Sequence, residues 1–143
     1  MTKDYYGTKR VTAWKQEREG KPGYAVKYRD GYISWSPAAE FEAAYQPLTA
    51  LSFGHAIEAA KAGHKVARAG WNGKGTWLQL VLSIHDIPAG GTSGPVYRLT
   101  IDTESAPGPT SLPWIGMKTA DNKFVPWLAS QTDVLANDWQ IVE

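Results

Sequence analysis

The segment from Trp77 to Ile84 constrains the fold more than any other part of this chain, because it is apolar at nearly every position. A strand with one solvated face alternates apolar and polar side chains, whereas a nearly continuous apolar run predicts a β-strand that is buried on both sides. The 143-residue chain can build the core around it, since 43% of its residues are apolar and 12% are aromatic. We therefore expect one ordinary domain with a small appendage.

Residues 51–143 are predicted to form the main unit around that strand. Ser52 is a suitable N-cap for a helix whose apolar positions follow the spacing i, i+3, i+4, i+7, and Gly63 follows as its stop. The other expected elements are a strand at 65–68, a hairpin at 115–127 around an Ala-Asp-Asn turn, a short helix capped by Ser130 or Thr132, and a last strand at 139–142. Glycine and proline crowd residues 86–113, which predicts a long loop with one strand at 96–101.

Residues 1–48 are predicted to form a compact β-rich extension. A weak strand pattern at 9–14 precedes a hairpin, whose strands at 23–28 and 32–35 flank an Arg-Asp-Gly turn. Ser36 and Pro37 predict a helix start, with Ser36 as N-cap and the proline at the first helical position, followed by about three turns. An aromatic stripe on the hairpin is more typical of a core or a partner surface than of a nucleic-acid platform: Tyr24, Tyr28, Tyr32 and Trp35.

These patterns predict an α+β fold, in which a small antiparallel β-sheet packs with short helices and carries the N-terminal extension. The 15 basic and 14 acidic side chains leave a formal charge of +1, without the basic surplus of a nucleic-acid reader. The lack of cysteine excludes disulfides, thiolate zinc sites and thiol nucleophiles. No apolar run has the length of a signal peptide or a membrane span. We expect a soluble intracellular protein that binds neither nucleic-acid polymers nor membranes.

The motif ARAGWNGKGTWL, residues 67–78, is the first candidate for ligand contact. Trp71 lies in a turn between glycines, which permit close approach of a ligand, and the amide of Asn72 can recognise a base edge or a ribose hydroxyl. Arg68 and Lys74, together with Lys118, are candidates for phosphate contacts. The alternative is a tight turn whose tryptophan covers the edge of the sheet, with the three cations in solvent.

The motif VPWLASQTDVLANDW, residues 125–139, is the second candidate. Its polar side chains crowd the first turn of the predicted short helix, where free backbone N–H groups bind anions such as phosphate. The ligand contacts expected here are Trp127, Ser130, Gln131 and Asp133. The alternative is plain helix capping, with Ser130 as the cap and Asp133 in the capping-box position.

Both motifs favour binding over catalysis. The sequence contains no Ser-His-Asp arrangement, no P-loop and no dinucleotide-binding glycine motif, and its three histidines lack metal-ligand spacing. We therefore expect no enzyme activity, no cofactor and no metal ion. Two alternatives stay open. One is a structural or protein-interaction module that uses the aromatic hairpin at 24–35, and the other is a hydrolase of a cyclic nucleotide with Asp121 or Asp133 as general base.

The two motifs and their order resemble a phage family, the second class of Thoeris anti-defense proteins. The resemblance is carried by SFGHAIEAAKAGHKVARAGWNGKGTWL at 52–78 and by IGMKTADNKFVPWLASQTDVLANDWQIV at 115–142. It implies a small α+β protein that assembles as a homotetramer and binds glycocyclic ADP-ribose, the signal made by bacterial TIR-domain proteins, without cleaving it. Some relatives also sequester cyclic di- or trinucleotides at a separate pocket.

The resemblance also implies which residues serve the nucleotide pocket. Trp71 and Asn72 of the GWN motif lie at the pocket, and the residues nearby are Trp127, Ser130, Gln131 and Asp133. Trp71 and Trp127 are expected to be the walls for the ligand. The implied mechanism is sequestration in the cytoplasm of the infected bacterium: adenine stacks on indole, hydroxyls meet Asn and Asp, and the diphosphate meets backbone amides and a cation. Trp77 and Trp139 are expected to pack the sheet. Residues 1–48 and the 85–113 loop do not match the shared core.

Overall fold

The computed structural model describes residues 1–71, 75–82 and 112–143. The chain divides into two compact units, Met1–Pro47 and Leu48–Glu143. Nearly all of the loop expected at 86–113, with its strand at 96–101, lies outside the described residues. None of the described helices is long and apolar enough to cross a membrane.

The first unit is a small antiparallel sheet followed by a short helix. Its described elements are β1 (Thr12–Lys15), β2 (Gly23–Lys27), β3 (Ile33–Pro37) and α1 (Ala38–Ala44), and the strands lie in the order β1-β2-β3. The turn between β2 and β3 contains Gly31, whose φ of 88° favours a residue without a side chain. The predicted hairpin is confirmed, and the weak strand pattern before it corresponds to β1.

The start of α1 differs from the prediction. Ser36 does not cap this helix, because β3 continues through it: Ser36 pairs with Tyr24, and Pro37 pairs with Gly23. Pro37, with φ −55° and ψ 146°, takes the N-cap position and supplies no side-chain cap. Strand pairing keeps Ser36 extended, so the helix begins later and has seven residues in place of the three turns expected.

The aromatic stripe of the hairpin divides between packing and solvent. Phe41 of α1 stacks between Tyr24 and Tyr45, with ring centroids 4.2 and 4.8 Å away. Trp35 packs over Gly23 so closely that a Cβ at that glycine would lie 2.3 Å from the indole ring. Tyr32, in contrast, is 64% exposed. The stripe therefore belongs partly to the core of this unit and partly to its surface.

The second unit is an antiparallel sheet with two short helices in its described part. Its elements are α2 (Phe53–Lys61), β4 (Lys65–Arg68), β5 (Trp77–Val81), β6 (Trp114–Lys118), β7 (Phe124–Pro126), α3 (Gln131–Val134) and β8 (Trp139–Val142). The strand order is β7-β6-β5-β4-β8. Two antiparallel sheets with short helices confirm the predicted α+β fold.

Local sequence signals position α2 as predicted. The Ser52 hydroxyl accepts a hydrogen bond from the His55 backbone N–H at 3.3 Å, which satisfies a donor of the first turn. Gly63 follows the helix with a φ of 96°, the left-handed conformation that ends many helices. Ala56 and Ala60 lie one turn apart and are buried in the core of this unit. Their small side chains let the helix approach the sheet closely.

The core of the second unit lies on the side of the sheet that α2 covers, which we call the helix face. Val66 pairs with both Leu78 and Ile141, and Leu78 also pairs with Met117, so these four side chains share one face of the sheet. All four belong to the core cluster or pack against it, together with the fully buried Trp139.

The opposite face of the sheet carries the alternate positions. Phe124 packs over Gly116 so closely that a Cβ there would lie 2.2 Å from the phenyl ring. The same ring lies 6.2 Å from the ring of Trp77 and 5.9 Å from that of Trp114. In β5, the neighbours Leu78 and Gln79 point to different faces and are each only 1% exposed. This confirms that β5 is buried on both sides.

Candidate functional site

A cavity of about 390 Å³ opens on the opposite face of the sheet, beside β4, β5 and β8. Its lining residues are Ala67, Arg68, Ala69, Trp71, Gly75, Thr76, Trp77, Lys118, Gln140, Val142 and Glu143. Small-molecule sites commonly have volumes of about 300–1,000 Å³ and combine apolar walls with a few polar groups. Both the size and the lining therefore suit a small organic ligand.

Two tryptophans contribute walls to this cavity. Trp77 belongs to β5, and the ammonium of Lys65 lies 4.7 Å from the centroid of its ring. Trp71 follows β4, and its backbone N–H donates to the carbonyl of Arg68 at 3.3 Å. Both indoles are partly exposed. Both residues therefore contribute to the cavity lining, and an indole is a side chain on which a flat ligand can stack.

Lys118 brings a positive charge to the cavity. Its Nζ donates to the carbonyl oxygen of Gly75 at 2.9 Å and to that of Thr119 at 3.3 Å. Gly75 has a φ of 76°, and a Cβ there would lie 3.5 Å from the Lys118 ammonium. Because both acceptors are neutral carbonyls, these bonds orient the ammonium without neutralising its charge.

Arg68 also lines the cavity, but two carboxylates engage its guanidinium. Its Nε donates to Asp138 at 2.8 Å, and its Nη1 donates to Asp133 at 2.8 Å. The hydrogen bond to Asp138, followed by the one to Asp133, raises the pKa of Arg68 above its ordinary value. A ligand phosphate at Arg68 would have to compete with both carboxylates for the same donors.

The pKa values of Asp133 and Asp138 are both lowered by their hydrogen bonds. The hydrogen bond from Arg68 is the main cause that lowers the pKa of Asp138, and the backbone N–H of Gly70 lowers it further. For Asp133, burial acts to raise the pKa, but hydrogen bonds from Arg68, Ser130 and Trp71 together hold it below its ordinary value. Both carboxylates are therefore charged at neutral pH.

On the helix face, four aromatic rings form a cluster: Phe53, Trp71, Trp127 and Trp139. Trp139 lies edge-on to Trp71 at 5.4 Å and to Trp127 at 6.0 Å. The rings of Trp71 and Trp127 are 6.4 Å apart. Trp71 belongs both to this cluster and to the cavity wall, so it links the two predicted motifs.

The short helix α3 uses its polar residues for its own capping. The hydroxyl of Ser130 accepts the backbone N–H of Asp133 at 3.1 Å and donates to the Asp133 carboxylate at 2.9 Å. Gln131 is exposed at the first helical position. The indole N–H of Trp71 donates to Asp133 at 3.4 Å. The capping arrangement that the sequence offered as an alternative to ligand contact is therefore present.

The structure separates the predicted ligand residues into three groups. Arg68, Trp71 and Lys118 line the cavity. The second motif contacts this group in two ways: Trp127 and Asp133 meet Trp71, and Asp133 also pairs with Arg68. Ser130 and Gln131 lie at the start of α3. Asn72 and Lys74 fall outside the described residues, in the segment between Trp71 and Gly75.

The residues near the site that were not predicted to serve it include Trp77, Asp138 and Gln140. Strand alternation was an available signal for Trp77, because its neighbour Leu78 belongs to the core and successive side chains point to opposite faces. Gln140 could have been found in the same way: it follows the core residue Trp139 in β8, so its side chain points to the opposite face. Asp138 had no such signal, since its partner Arg68 is 70 residues away in the sequence.

The hydrolase alternative uses Asp121 or Asp133 as a general base. Across 1–71, 75–82 and 112–143, no group of three or more histidine, aspartate or glutamate side chains is arranged to hold a metal ion. Asp121 pairs with Lys123 at 3.2 Å and does not line the cavity. A hydrogen bond from Thr119 is the main cause that lowers the pKa of Asp121, which makes this carboxylate a weaker general base.

Comparison with known proteins identifies the second unit. A family model described as the Thoeris anti-defense 2-like domain matches residues 51–142. A protein named Thoeris anti-defense 2, from Bacillus phage SP01, is 43% identical over 97 residues, which are 66% of this chain and 97% of that relative. The family match contains both tryptophan motifs and every cavity-lining residue except Glu143.

Proposed function

The chain belongs to the Thoeris anti-defense 2-like family, and we propose that it binds and sequesters the signal glycocyclic ADP-ribose without cleaving it. By removing this cyclic nucleotide from solution, it blocks Thoeris immunity in the cytoplasm of an infected bacterium. One observation carries the proposal: a cavity of about 390 Å³ whose lining residues include Trp71, Trp77 and Lys118.

The tryptophan walls supply most of the affinity in this proposal. Stacking of one base on an aromatic side chain contributes about 1–3 kcal/mol, and it needs only a flat π-face. Trp71 lies 5.4 Å from the ring of the fully buried Trp139, so its indole has little freedom left to lose when a ligand binds. A protein that acts by stoichiometry needs the slow release that such a preordered wall supports.

Lys118 is the proposed contact for the ligand diphosphate. Its Nζ is oriented by neutral carbonyls, whereas the guanidinium of Arg68 is shared between two carboxylates. Asn72 and Lys74, which follow Trp71 directly, remain proposed contacts to ribose hydroxyls and phosphate. Arg68 is the weaker phosphate candidate, because Asp133 and Asp138 already accept hydrogen bonds from its guanidinium.

For the second motif we propose a supporting part in binding. Trp127 and Asp133 contact Trp71 from the helix face, by ring packing at 6.4 Å and a hydrogen bond at 3.4 Å. Ser130 holds Asp133 in turn. Gln131 is the exposed residue of this group and remains a proposed polar contact to the ligand. On this view most of the motif shapes the wall that Trp71 presents.

We also propose that the protein assembles as a homotetramer, as the family resemblance implies. Leu128 and Leu135 support an interface on the second unit, since they are 92% and 76% exposed. Light scattering on the purified protein measures the assembly directly. A monomer at micromolar concentration would contradict the tetramer without affecting the binding proposal.

Calorimetry with glycocyclic ADP-ribose tests the central proposal. We expect tight, saturable binding to the purified protein. After heat denaturation of the complex, the released ligand should be chemically intact and should bind again to fresh protein. Degraded ligand would support an enzyme, and no heat of binding together with no thermal shift would support an interaction module.

Three substitutions locate the site. Trp71→Leu and Trp77→Leu remove a stacking surface and should each weaken binding about tenfold or more. Lys118→Gln should weaken binding and reduce its salt dependence, because one charge contact is lost. Trp114→Leu is the matched control: it removes an indole of the opposite face that does not line the cavity. Unchanged affinity in both Trp71→Leu and Trp77→Leu would remove this cavity from the proposal.

A further inference from the structure

Asp138 contacts three consecutive residues at the end of β4. Its Oδ1 accepts the Nε–H of Arg68 at 2.8 Å, and its Oδ2 accepts the backbone N–H of Gly70 at 3.0 Å. Its own backbone carbonyl accepts the N–H of Ala69 at 3.0 Å. The next residue along the chain is Trp71, a wall of the cavity. One residue therefore determines how the chain approaches Trp71.

Asp138 is itself held in place by the residue that follows it. Trp139 is fully buried, and its backbone N–H and carbonyl exchange hydrogen bonds with Leu51 at 3.1 and 2.7 Å. Its indole N–H donates to the carbonyl of Asp133 at 2.9 Å. The backbone of Asp138 cannot move far without displacing this ring from the core, so Asp138 is a rigid support.

Gly70 lets the carboxylate approach the backbone. A Cβ at this position would lie 3.1 Å from the Oδ2 of Asp138, which is closer than an ordinary van der Waals contact. A side chain at Gly70 would therefore compete with the contact between Asp138 and the turn. The glycine of the ARAGW sequence is explained by this contact, independently of any ligand.

We propose that Asp138 is a positioning residue for ligand binding: it holds residues 68–70 so that Trp71 already stands at the cavity wall before a ligand arrives. The inference rests on the proposed binding of a nucleotide signal at this cavity. A turn that is ordered in advance loses little entropy on binding. Without Asp138 the ligand must order the turn itself, and the affinity falls.

Asp138→Asn is the first test, because Arg68 Nε and the Gly70 N–H bond to different oxygens of Asp138, whereas asparagine replaces one of these oxygens by an NH₂ donor. In calorimetry with glycocyclic ADP-ribose we expect about tenfold weaker binding for this variant and a larger loss for Asp138→Ala. Glu58→Gln, which removes an exposed ion pair with Lys61, is the control and should bind like the unmodified protein. Unchanged affinity in both Asp138 variants overturns the proposal.

A double-variant cycle separates positioning from general destabilisation. If Asp138 acts through Trp71, then Asp138→Asn should add little further loss to the affinity of Trp71→Leu. Equal loss in both backgrounds would overturn the proposal, since it would mean that Asp138 acts by another route. If Asp138→Ala does not fold, then Asp138→Asn and Gly70→Ala carry the test, and Gly70→Ala should weaken binding in the same direction.

Fluorine NMR of the free protein labelled with 5-fluorotryptophan gives a readout that needs no ligand. The Trp71 resonance is assigned by its loss in Trp71→Leu. In Asp138→Asn this resonance should shift or broaden, while that of Trp114 stays in place. If the unmodified protein binds no ligand but the Trp71 resonance responds, the proposed function fails and the positioning of Trp71 stands. If the protein binds and neither the resonance nor the affinity responds, Asp138 has no positioning role.

Discussion

Trp139 joins several parts of the second unit. It is 0% exposed, it pairs with Leu51 through its backbone, and its ring packs against Phe53, Trp71 and Trp127. The indole N–H finds its acceptor on Asp133, as a buried polar group must. Replacing this side chain by a small one leaves a cavity and removes the indole donor from the carbonyl of Asp133.

We therefore expect Trp139→Ala to lower the free energy of unfolding by about 3–5 kcal/mol, the usual range for removal of a large buried aromatic side chain. Urea denaturation measures this change. Lys61→Ala is the control: its side chain is 60% exposed, and the change should stay within about 0.5 kcal/mol. Similar effects for the two variants would mean that Trp139 does not anchor the core.

Two glycines should respond in opposite directions to the same substitution. Gly116→Ala places a Cβ 2.2 Å from the ring of Phe124, and we expect destabilisation of about 1–3 kcal/mol through overpacking. Gly54→Ala lies in α2, where the nearest neighbour of a Cβ is the Ser52 hydroxyl at 3.8 Å. There we expect stabilisation of about 0.4–1 kcal/mol. Thermal unfolding of the two variants measures both changes. A stability change of the same sign in both variants would contradict the packing of Phe124 on Gly116.

At the scale of the elements, Arg68 joins the end of β4 to α3 and to the start of β8. Its partners Asp133 and Asp138 have folded pKa values below their ordinary ones. Their contribution to stability is fully present above the unfolded aspartate pKa of about 3.9 and is lost as the pH falls through the lower folded values. The second unit should therefore lose stability below about pH 4.

Urea unfolding at a series of pH values tests this linkage. The free energy of unfolding should fall as the pH is lowered from 5 towards 2, because the unfolded state takes up protons first. In the double variant Asp133→Asn, Asp138→Asn the fall should be smaller, and the remainder should come from groups such as Asp121, whose pKa is also lowered. An identical pH dependence in both proteins would mean that the ion pairs of Arg68 with Asp133 and Asp138 do not cause the loss of stability in acid.

The elements also show where sequence reasoning succeeded and failed. Helix α2 was predictable because Ser52 and Gly63 act on their own neighbours, and β5 because its apolar run is continuous. The start of α1 was predicted wrongly because Ser36 carries a local capping signal, while its conformation is set by pairing with Tyr24, twelve residues earlier. Local signals fail where a strand partner competes for the same backbone.

At the scale of the whole molecule, every described residue that lines the cavity lies in the second unit. The Bacillus phage relative is covered over 97% of its length by an alignment of 97 residues. We therefore expect a fragment of residues 48–143 to fold and to bind glycocyclic ADP-ribose with the affinity of the full chain. Calorimetry on both proteins measures this, and a loss of tenfold or more would assign residues 1–47 a part in binding.

The sequence by itself determined the α+β class, most of the element positions and the two tryptophan motifs. These follow from interactions between residues a few positions apart: strand alternation, helix caps and glycine turns. It also marked Arg68, Trp71 and Lys118, three of the residues that line the cavity.

Only the tertiary structure decided what those side chains do. Trp71 and Trp77 both line the cavity, but only Trp71 also packs against the ring of the buried Trp139. Arg68 is a phosphate candidate in the sequence, but its guanidinium donates hydrogen bonds to Asp133 and Asp138, which lie 65 and 70 residues further along the chain. Such partners depend on which strands pair and which face each residue takes, and neither is encoded in the local pattern around Arg68.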